Sequence, residues 1–359
     1  DTWRSDPQYT RQLVQALEQQ GFQNIKLRVD DDLAEISLTH PRISLMSRAI
    51  GRATRTVLLL TPQETKTIRI TYTSNDLPLQ AYTIDDVSQV RRYFSGEVSW
   101  DDARRHVMVQ STEMADMSKL STLSTLPRYD EEANTPQQNV GSEGGDILQF
   151  RKRGSSLSGS YIAPFNLRFY FVNPNGNASY DTFALFGHTQ HLGDSLFLNG
   201  AARLTLFENI GDITKPSPSI LPHVRTDIAR YRQEGDALKL DSLLLNKFFK
   251  PGRSVYGRVS LGYYEEMFAG TGGQILYLPE QSNWAFDLSV DWLKQRAPEK
   301  SVGFRDYNVV TTLGSFHYRF PKYGITTTAR VGRFLAKDEG VRFEIKRRFR
   351  SGIETGIWF

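Results

Sequence analysis

Residues 255–296 read VYGRVSLGYYEEMFAGTGGQILYLPEQSNWAFDLSVDWLKQR, and their alternation decides the fold class. Val255, Val259, Leu261 and Tyr263 alternate with Tyr256, Arg258, Ser260 and Tyr264, the period-2 pattern of a strand with two unlike faces. After a glycine-rich break at Gly270-Thr271-Gly272-Gly273, the alternation resumes. Trp284, Phe286, Leu288, Val290 and Trp292 fall on one face, and Ala285, Asp287, Ser289 and Asp291 on the other. Trp284 and Trp292 lie roughly 27 Å apart along a strand, or about 20 Å in height at a tilt near 45°. A transmembrane β-barrel carries an apolar band of about 25 Å bounded by aromatic girdles, and the two tryptophans fit such girdles. On this strand alone, a soluble β-sandwich with tryptophan in its core reads equally well.

The same alternation extends over residues 148–359. Phe165, Leu167, Phe169 and Phe171 alternate with Asn166, Arg168 and Tyr170, and Leu198 to Leu206 continue the pattern. Val310 to Phe320, Ile325 to Val331 and Val341 to Phe349 follow, with Ile353 to Phe359 last and looking cut mid-course. The count is about eleven or twelve strands with no helix signal between them. Many exceed the 5–6 residues usual in globular sheets, which favours tilted membrane strands. The expected fold is therefore β-rich: an antiparallel transmembrane β-barrel, or part of one, behind a small α/β domain.

That α/β domain is expected over residues 1–101. Asp6 and Pro7 open a helix in which Tyr9, Leu13 and Leu17 recur before Gly21 stops it. Ile25 to Val29 and Ala34 to Leu38 form a hairpin around Asp30-Asp31-Asp32. A second helix runs from Ser44 to Leu60, strands follow at Ile68–Tyr72 and Leu79–Thr83, and Asp85-Asp86 caps a last helix. The αββαββα order matches small periplasmic interaction modules such as BON-like domains at fold level only. Residues 102–147, rich in Ser, Thr, Pro and Gly, read as a flexible linker or a loop inside the barrel.

Composition narrows the classes. A chain of 359 residues with 23% charged residues and mean hydropathy −0.44 is not a helical membrane protein, and its longest plain aliphatic run is Val57 to Leu60. Alternating strands average to a polar composition, so a barrel stays open. Net charge +4 and pI near 9.1 allow an anionic partner and do not argue for nucleic acid. With no cysteine there is no disulfide or thiolate metal chemistry. The opening Asp1-Thr2-Trp3-Arg4 is no signal peptide, so a mature or excised fragment, or an unexported chain, is expected.

Catalytic signals are weak. His188 and His191 are on opposite faces of an alternating strand, and no nucleophile elbow, zinc-protease or P-loop motif occurs. Asp287 and Asp291 share a face but sit roughly 13 Å apart, beyond the spacing of about 5–10 Å of glycosidase carboxylates. No enzyme, cofactor or metal is expected. Arg330, Arg342, Lys346, Arg348 and Arg350 project to one side with Glu344 as the nearby carboxylate. If the apolar side meets lipid, these line the lumen and favour an anionic polymer; otherwise they form a solvated face, or pair with acids such as Asp287 and Asp291.

Residues 223–231 (HVRTDIARY), 262–270 (GYYEEMFAG), 276–286 and 333–340 (RFLAKDEG), with 66–71 in the small domain, resemble the YjbH/GfcD-type outer-membrane proteins of bacterial exopolysaccharide and group 4 capsule export. The resemblance implies an outer-membrane barrel, with its α/β domain in the periplasm, beside a polysaccharide-export lipoprotein. It implies a secreted polysaccharide and outer-membrane lipid as partners, no nucleic acid, and no catalytic residues. Family members carry a further N-terminal half and more strands, so this chain is expected to be a portion whose barrel is completed by that missing half or a second chain. The expected role is to conduct or guide an anionic polysaccharide; the alternative is a plugged barrel that anchors periplasmic partners.

Overall fold

The structure is a computed structural model that describes residues 7–30, 32–41, 43, 45–112, 157–170, 175, 178–299, 302–349 and 353–359. Asp6, Phe171, Arg350 and residues 113–147 of the expected linker lie outside these. The chain divides into two compact units between Leu157 and Ser158.

The first unit opens with helix α1 (Pro7–Gln19), which stops at Gly21 in the left-handed region (φ 89°) that glycine adopts without a Cβ clash. Strands β1 (Gln23–Asp30) and β2 (Leu33–Thr39) form the antiparallel hairpin. Helix α2 (Met46–Leu60) then crosses over to β3 (Thr67–Ser74), which pairs parallel with β2. Strand β4 (Leu77–Ile84) returns antiparallel, and helix α3 (Val87–Phe94) follows, its first turn capped by Asp86, whose carboxylate accepts from Ser88 and Gln89 N–H. Leu13, Leu17, Ala49, Ala53, Val57, Ile68 and Ile70 make the core, each fully buried large aliphatic contributing about 1.5–3 kcal/mol.

The expected linker begins too early. Helix α4 (Trp100–Ala103), a 3₁₀ turn (Arg104–His106) and β5 (Val107–Ser111) belong to this unit, and β5 adds the fifth strand beside β4. Its two half-buried valines are too short a run to stand out in sequence, yet five backbone residues satisfy the edge of β4. Val87 and Val90 of α3 are buried, whereas Phe94 is exposed against Tyr93 and beneath the Arg55 guanidinium.

The second unit is one antiparallel sheet of eleven strands in sequential order. These are β6 (Gly159–Tyr170), β7 (Ser179–Gly193), β8 (Leu196–Glu208), β9 (Leu238–Gly252), β10 (Val255–Tyr263), β11 (Phe268–Tyr277), β12 (Trp284–Arg296), β13 (Phe304–Phe320), β14 (Ile325–Arg333), β15 (Glu339–Arg348) and β16 (Glu354–Trp358). A short helix, α5 (Ile228–Gln233), interrupts the long connection from β8 to β9. The two ends of the sheet differ. At one end Asp194-Ser195 makes a two-residue turn with φ of 45° and 59°, the twist-matched geometry for a hairpin. At the other end the β8–β9 connection occupies residues 209–237.

Among the described residues no ladder joins β6 to β16, so the sheet does not close into a barrel. Closure needs the hydrogen-bonding groups of both edges to find partners, and among the described residues β6 pairs with β7 alone while β16 pairs with β15 alone.

Candidate functional site

Polarity across the sheet is inside-out. On β12, Trp284, Phe286, Leu288, Val290 and Trp292 are all exposed, whereas Ala285, Asp287 and Leu293 on the opposite face are buried. The expected girdle residues Trp284 and Trp292 thus occupy one outward row, 38% and 49% exposed. Trp284 sits among Tyr277 and Phe316 on the adjoining strands, with ring centroids 5.8 and 6.2 Å away. Among the described residues no second sheet covers the outer face of β12.

The polar face is concave, and α5 folds onto it. Asp181, at the start of β7, and Glu266, in the β10–β11 turn, both contact the guanidinium groups of Arg203 on β8 and Arg232 on α5. Strands β7 and β10 are separated by about 14 Å along a flat sheet, so sharing these cations bends the sheet over the helix. Arg168 approaches Asp181 at 3.2 Å and Lys239 approaches Glu266 at 3.7 Å. Burial alone raises the pKa of Glu266, but the hydrogen bond from Arg232 and the charges of Arg232, Arg203 and Lys239 outweigh it and hold the carboxyl below its ordinary value.

Beyond these ion pairs, α5 is fixed by apolar packing. Tyr231 is buried against Met267, Phe268, Leu293 and Val309, and its hydroxyl donates to the Arg296 carbonyl. Arg305 on β13 bonds Asp227 at 2.9 Å, and the Gln295 amide donates to the His223 carbonyl. The segment therefore reaches from β7 to β13.

The other part of the concave face is basic and open. Cross-strand register puts Ser315, Arg330 and Arg342 in one row and His317, Thr328, Glu344 and Trp358 in the next, with Arg319, Thr326 and Lys346 beyond. Arg330, Arg342, Lys346 and Arg348 share this face as the alternation requires; Arg350 is not among the described residues. Glu344 takes Lys346 at 2.6 Å and Arg342 at 3.6 Å, Arg348 pairs with Glu354 at 3.3 Å, and Arg330 donates to the Ser315 hydroxyl.

The acids of β12 are engaged elsewhere. Asp287 pairs with His317 at 2.6 Å and accepts from Gln274, and Asp291 accepts from the Tyr264 hydroxyl. His188 bonds Ser160 while His191 stacks on Phe197. Among the described residues no three His, Cys, Asp or Glu side chains gather as metal ligands. The Asp181–Arg203–Arg232–Glu266 cluster was not singled out from sequence. Its signals were a lone Arg203 among Ala201, Ala202 and Leu204, and the paired Glu265-Glu266 in a turn, neither of which names a partner 22 or 63 positions away.

Long antiparallel strands, an apolar convex face and a charged concave face filled in part by a helix define a class of large-sheet protein with inverted polarity. The sequence profile of a family described as "Exopolysaccharide biosynthesis protein YbjH" matches residues 2–359, and the chain belongs to this YjbH family, which is linked to exopolysaccharide biosynthesis. It is 31% identical over 313 residues to the protein named "Uncharacterized lipoprotein YjbH" of Escherichia coli (strain K12). That overlap is 86% of this chain and 40% of the relative, so the chain spans about two fifths of its relative's length. No solved structure matches.

Proposed function

We propose that this sheet lies in the bacterial outer membrane with its apolar convex face on lipid, and that its polar concave face guides a secreted polysaccharide. The observation that carries this reading is the exposed row Trp284–Trp292 backed by buried Asp287 and charged neighbours, the reverse of a sheet stable in water. Outer-membrane strands join by short turns on the periplasmic side and longer loops outside. By that rule the end of the sheet carrying the Asp194-Ser195 turn is the periplasmic one, and the α/β unit is assigned to the periplasm as well. There it docks an export partner such as a polysaccharide-export lipoprotein. A relative named a lipoprotein fits an envelope address as well. Hydrocarbon tolerates no open sheet edge, so β6 and β16 require strands beyond the described ones, in the complete protein or a second copy.

The test is made on the full-length protein in its own cell. Recovery in a urea-resistant outer-membrane fraction, with surface polysaccharide lost on deletion, is the expected result; recovery as a urea-extractable protein ends the membrane reading. A second reading, a plugged barrel that anchors periplasmic partners, is favoured by α5 lying across the concave face. Planar-bilayer conductance from the complete protein would count against the plug, and polysaccharide export surviving deletion would count against conduction.

A further inference from the structure

The open part of the concave face carries more positive charge than its own acids balance. We propose that Arg319, Arg330, Arg342 and Lys346 form a binding track for an acidic polysaccharide, one whose sugars bear carboxylate, sulfate or phosphate groups. This rests on the reading that the concave face meets the polymer, and it names the charge class that the face selects.

Arg330 and Arg342 are direct cross-strand partners on β14 and β15. Like charges placed directly opposite destabilise a sheet pair; Glu344, close to Arg342 and within the field of Arg330, offsets this in part, and a further anion across the pair would offset more of it. Glu344 is shared by Arg342 and Lys346, and among the described residues neither Arg319 nor Arg330 has a carboxylate within ion-pair distance. The guanidinium fork binds an oxyanion through two parallel N–H groups, which suits carboxylate, sulfate and phosphate alike.

Access separates these cations from the ones under α5. The Lys346 side chain is 53% exposed and Arg342 36%, against 2% for Arg203 and Arg232. Extent argues for a polymer. The cations span three strands, and Arg342 and Lys346 are roughly 13 Å apart along β15, farther than one small anion reaches. Trp358 faces the same side across from Glu344, exposed and with the Arg342 guanidinium 4.6 Å from its ring centre. Its indole offers a surface to the C–H face of a sugar. A single-stranded nucleic acid wants a succession of stacking aromatics along its path, whereas Trp358 is the one indole on this track among the described residues.

Binding is measured on the purified full-length protein with oligogalacturonate, against maltodextrin of equal length and a single-stranded oligonucleotide, by calorimetry at low and high salt. Oligogalacturonate should bind with strong salt dependence. Arg330→Gln with Arg342→Gln should weaken it at least ~10-fold and flatten that dependence, while Arg330→Lys with Arg342→Lys should restore most of it. Arg347→Gln removes one charge from the opposite face of the same strand and should leave affinity within about twofold, a rim-type effect. Lys346→Gln, at an exposed side chain, carries the test if the double variant does not fold, with an expected loss of about threefold.

Unchanged affinity in these variants, equal weakening by Arg347→Gln, or binding of maltodextrin or oligonucleotide as tight as oligogalacturonate would overturn the track. The two readings fail separately. A protein outside the outer membrane that still binds oligogalacturonate refutes the location alone, and an outer-membrane protein that does not bind it refutes the track alone.

Discussion

One concave face carries two kinds of charge. Under α5, Arg203 and Arg232 are almost fully buried and share Asp181 and Glu266 between them. On β13–β15, Arg342 and Lys346 share Glu344, and Arg319, Arg330, Arg342 and Lys346 are half-buried or exposed. The alternation that built both regions is the same; what differs is the 29-residue connection 209–237 folded onto one of them. A cation taken out of water needs a carboxylate at hand, whereas one left in water does not. Cover therefore fixes the first group as structure and leaves the second accessible to solvent.

The contrast predicts unequal costs of deleting an acid. Asp181→Ala strands Arg203 and Arg232 with one carboxylate fewer in a buried site and should destabilise the sheet by about 3–5 kcal/mol. Glu344→Gln, among half-exposed partners, should cost less than about 1 kcal/mol. Urea unfolding of the full-length protein, followed by tryptophan fluorescence, reads both. Equal costs would erase the distinction between the regions.

The convex face supplies the next largest effect. Leu288→Arg on the outward row should cost about 2–4 kcal/mol in a lipid-folded protein if that row lies near the bilayer midplane. Ser289→Arg, one residue along and facing inward, should be tolerated within about 1 kcal/mol. A sheet bathed in water on its convex side gives the opposite order.

Much of this was legible in the sequence because a period of two survives any amount of curvature. The outward row of β12, the shared face of Arg330, Arg342 and Lys346, and the Asp86 cap all follow from local spacing. The cover was not legible. Residues 223–231 stood out as a distinctive run, but α5 is six residues long and helical only because Tyr231 and Arg232 find partners on β7, the β10–β11 turn and β12. The fifth strand of the small domain escaped for the same reason, since Val107 and Val109 gain their places from β4.

Acid should loosen the covered region selectively. Glu266 has its pKa depressed in the folded state, so its stabilisation is present above the unfolded value near 4.5 and is lost as pH falls through the folded one. Hydrogen exchange of residues 222–233, corrected for intrinsic rate, should show less protection at about pH 3.5 than at about pH 6. The drop should be smaller than in Asp181→Ala, because a protonated Glu266 keeps its volume and one acceptor oxygen. Protection that holds at the lower pH would mean that packing around Tyr231, and not charge, fastens the helix.

The finest probe separates those two fastenings. Tyr231→Phe keeps the ring against Met267, Phe268, Leu293 and Val309 and removes only the hydroxyl that donates to the Arg296 carbonyl. A buried hydrogen bond of this kind is worth about 1 kcal/mol, so exchange in residues 222–233 should quicken about fivefold, with global unfolding little changed. Among the described residues the apolar cluster around Tyr231 includes Leu335 of the β14–β15 turn but none of the four track cations, so oligogalacturonate affinity should not move. If that affinity rises when the hydroxyl is removed, α5 and the basic track are coupled. The two regions would then be one device, with the helix restraining access to the track it does not touch.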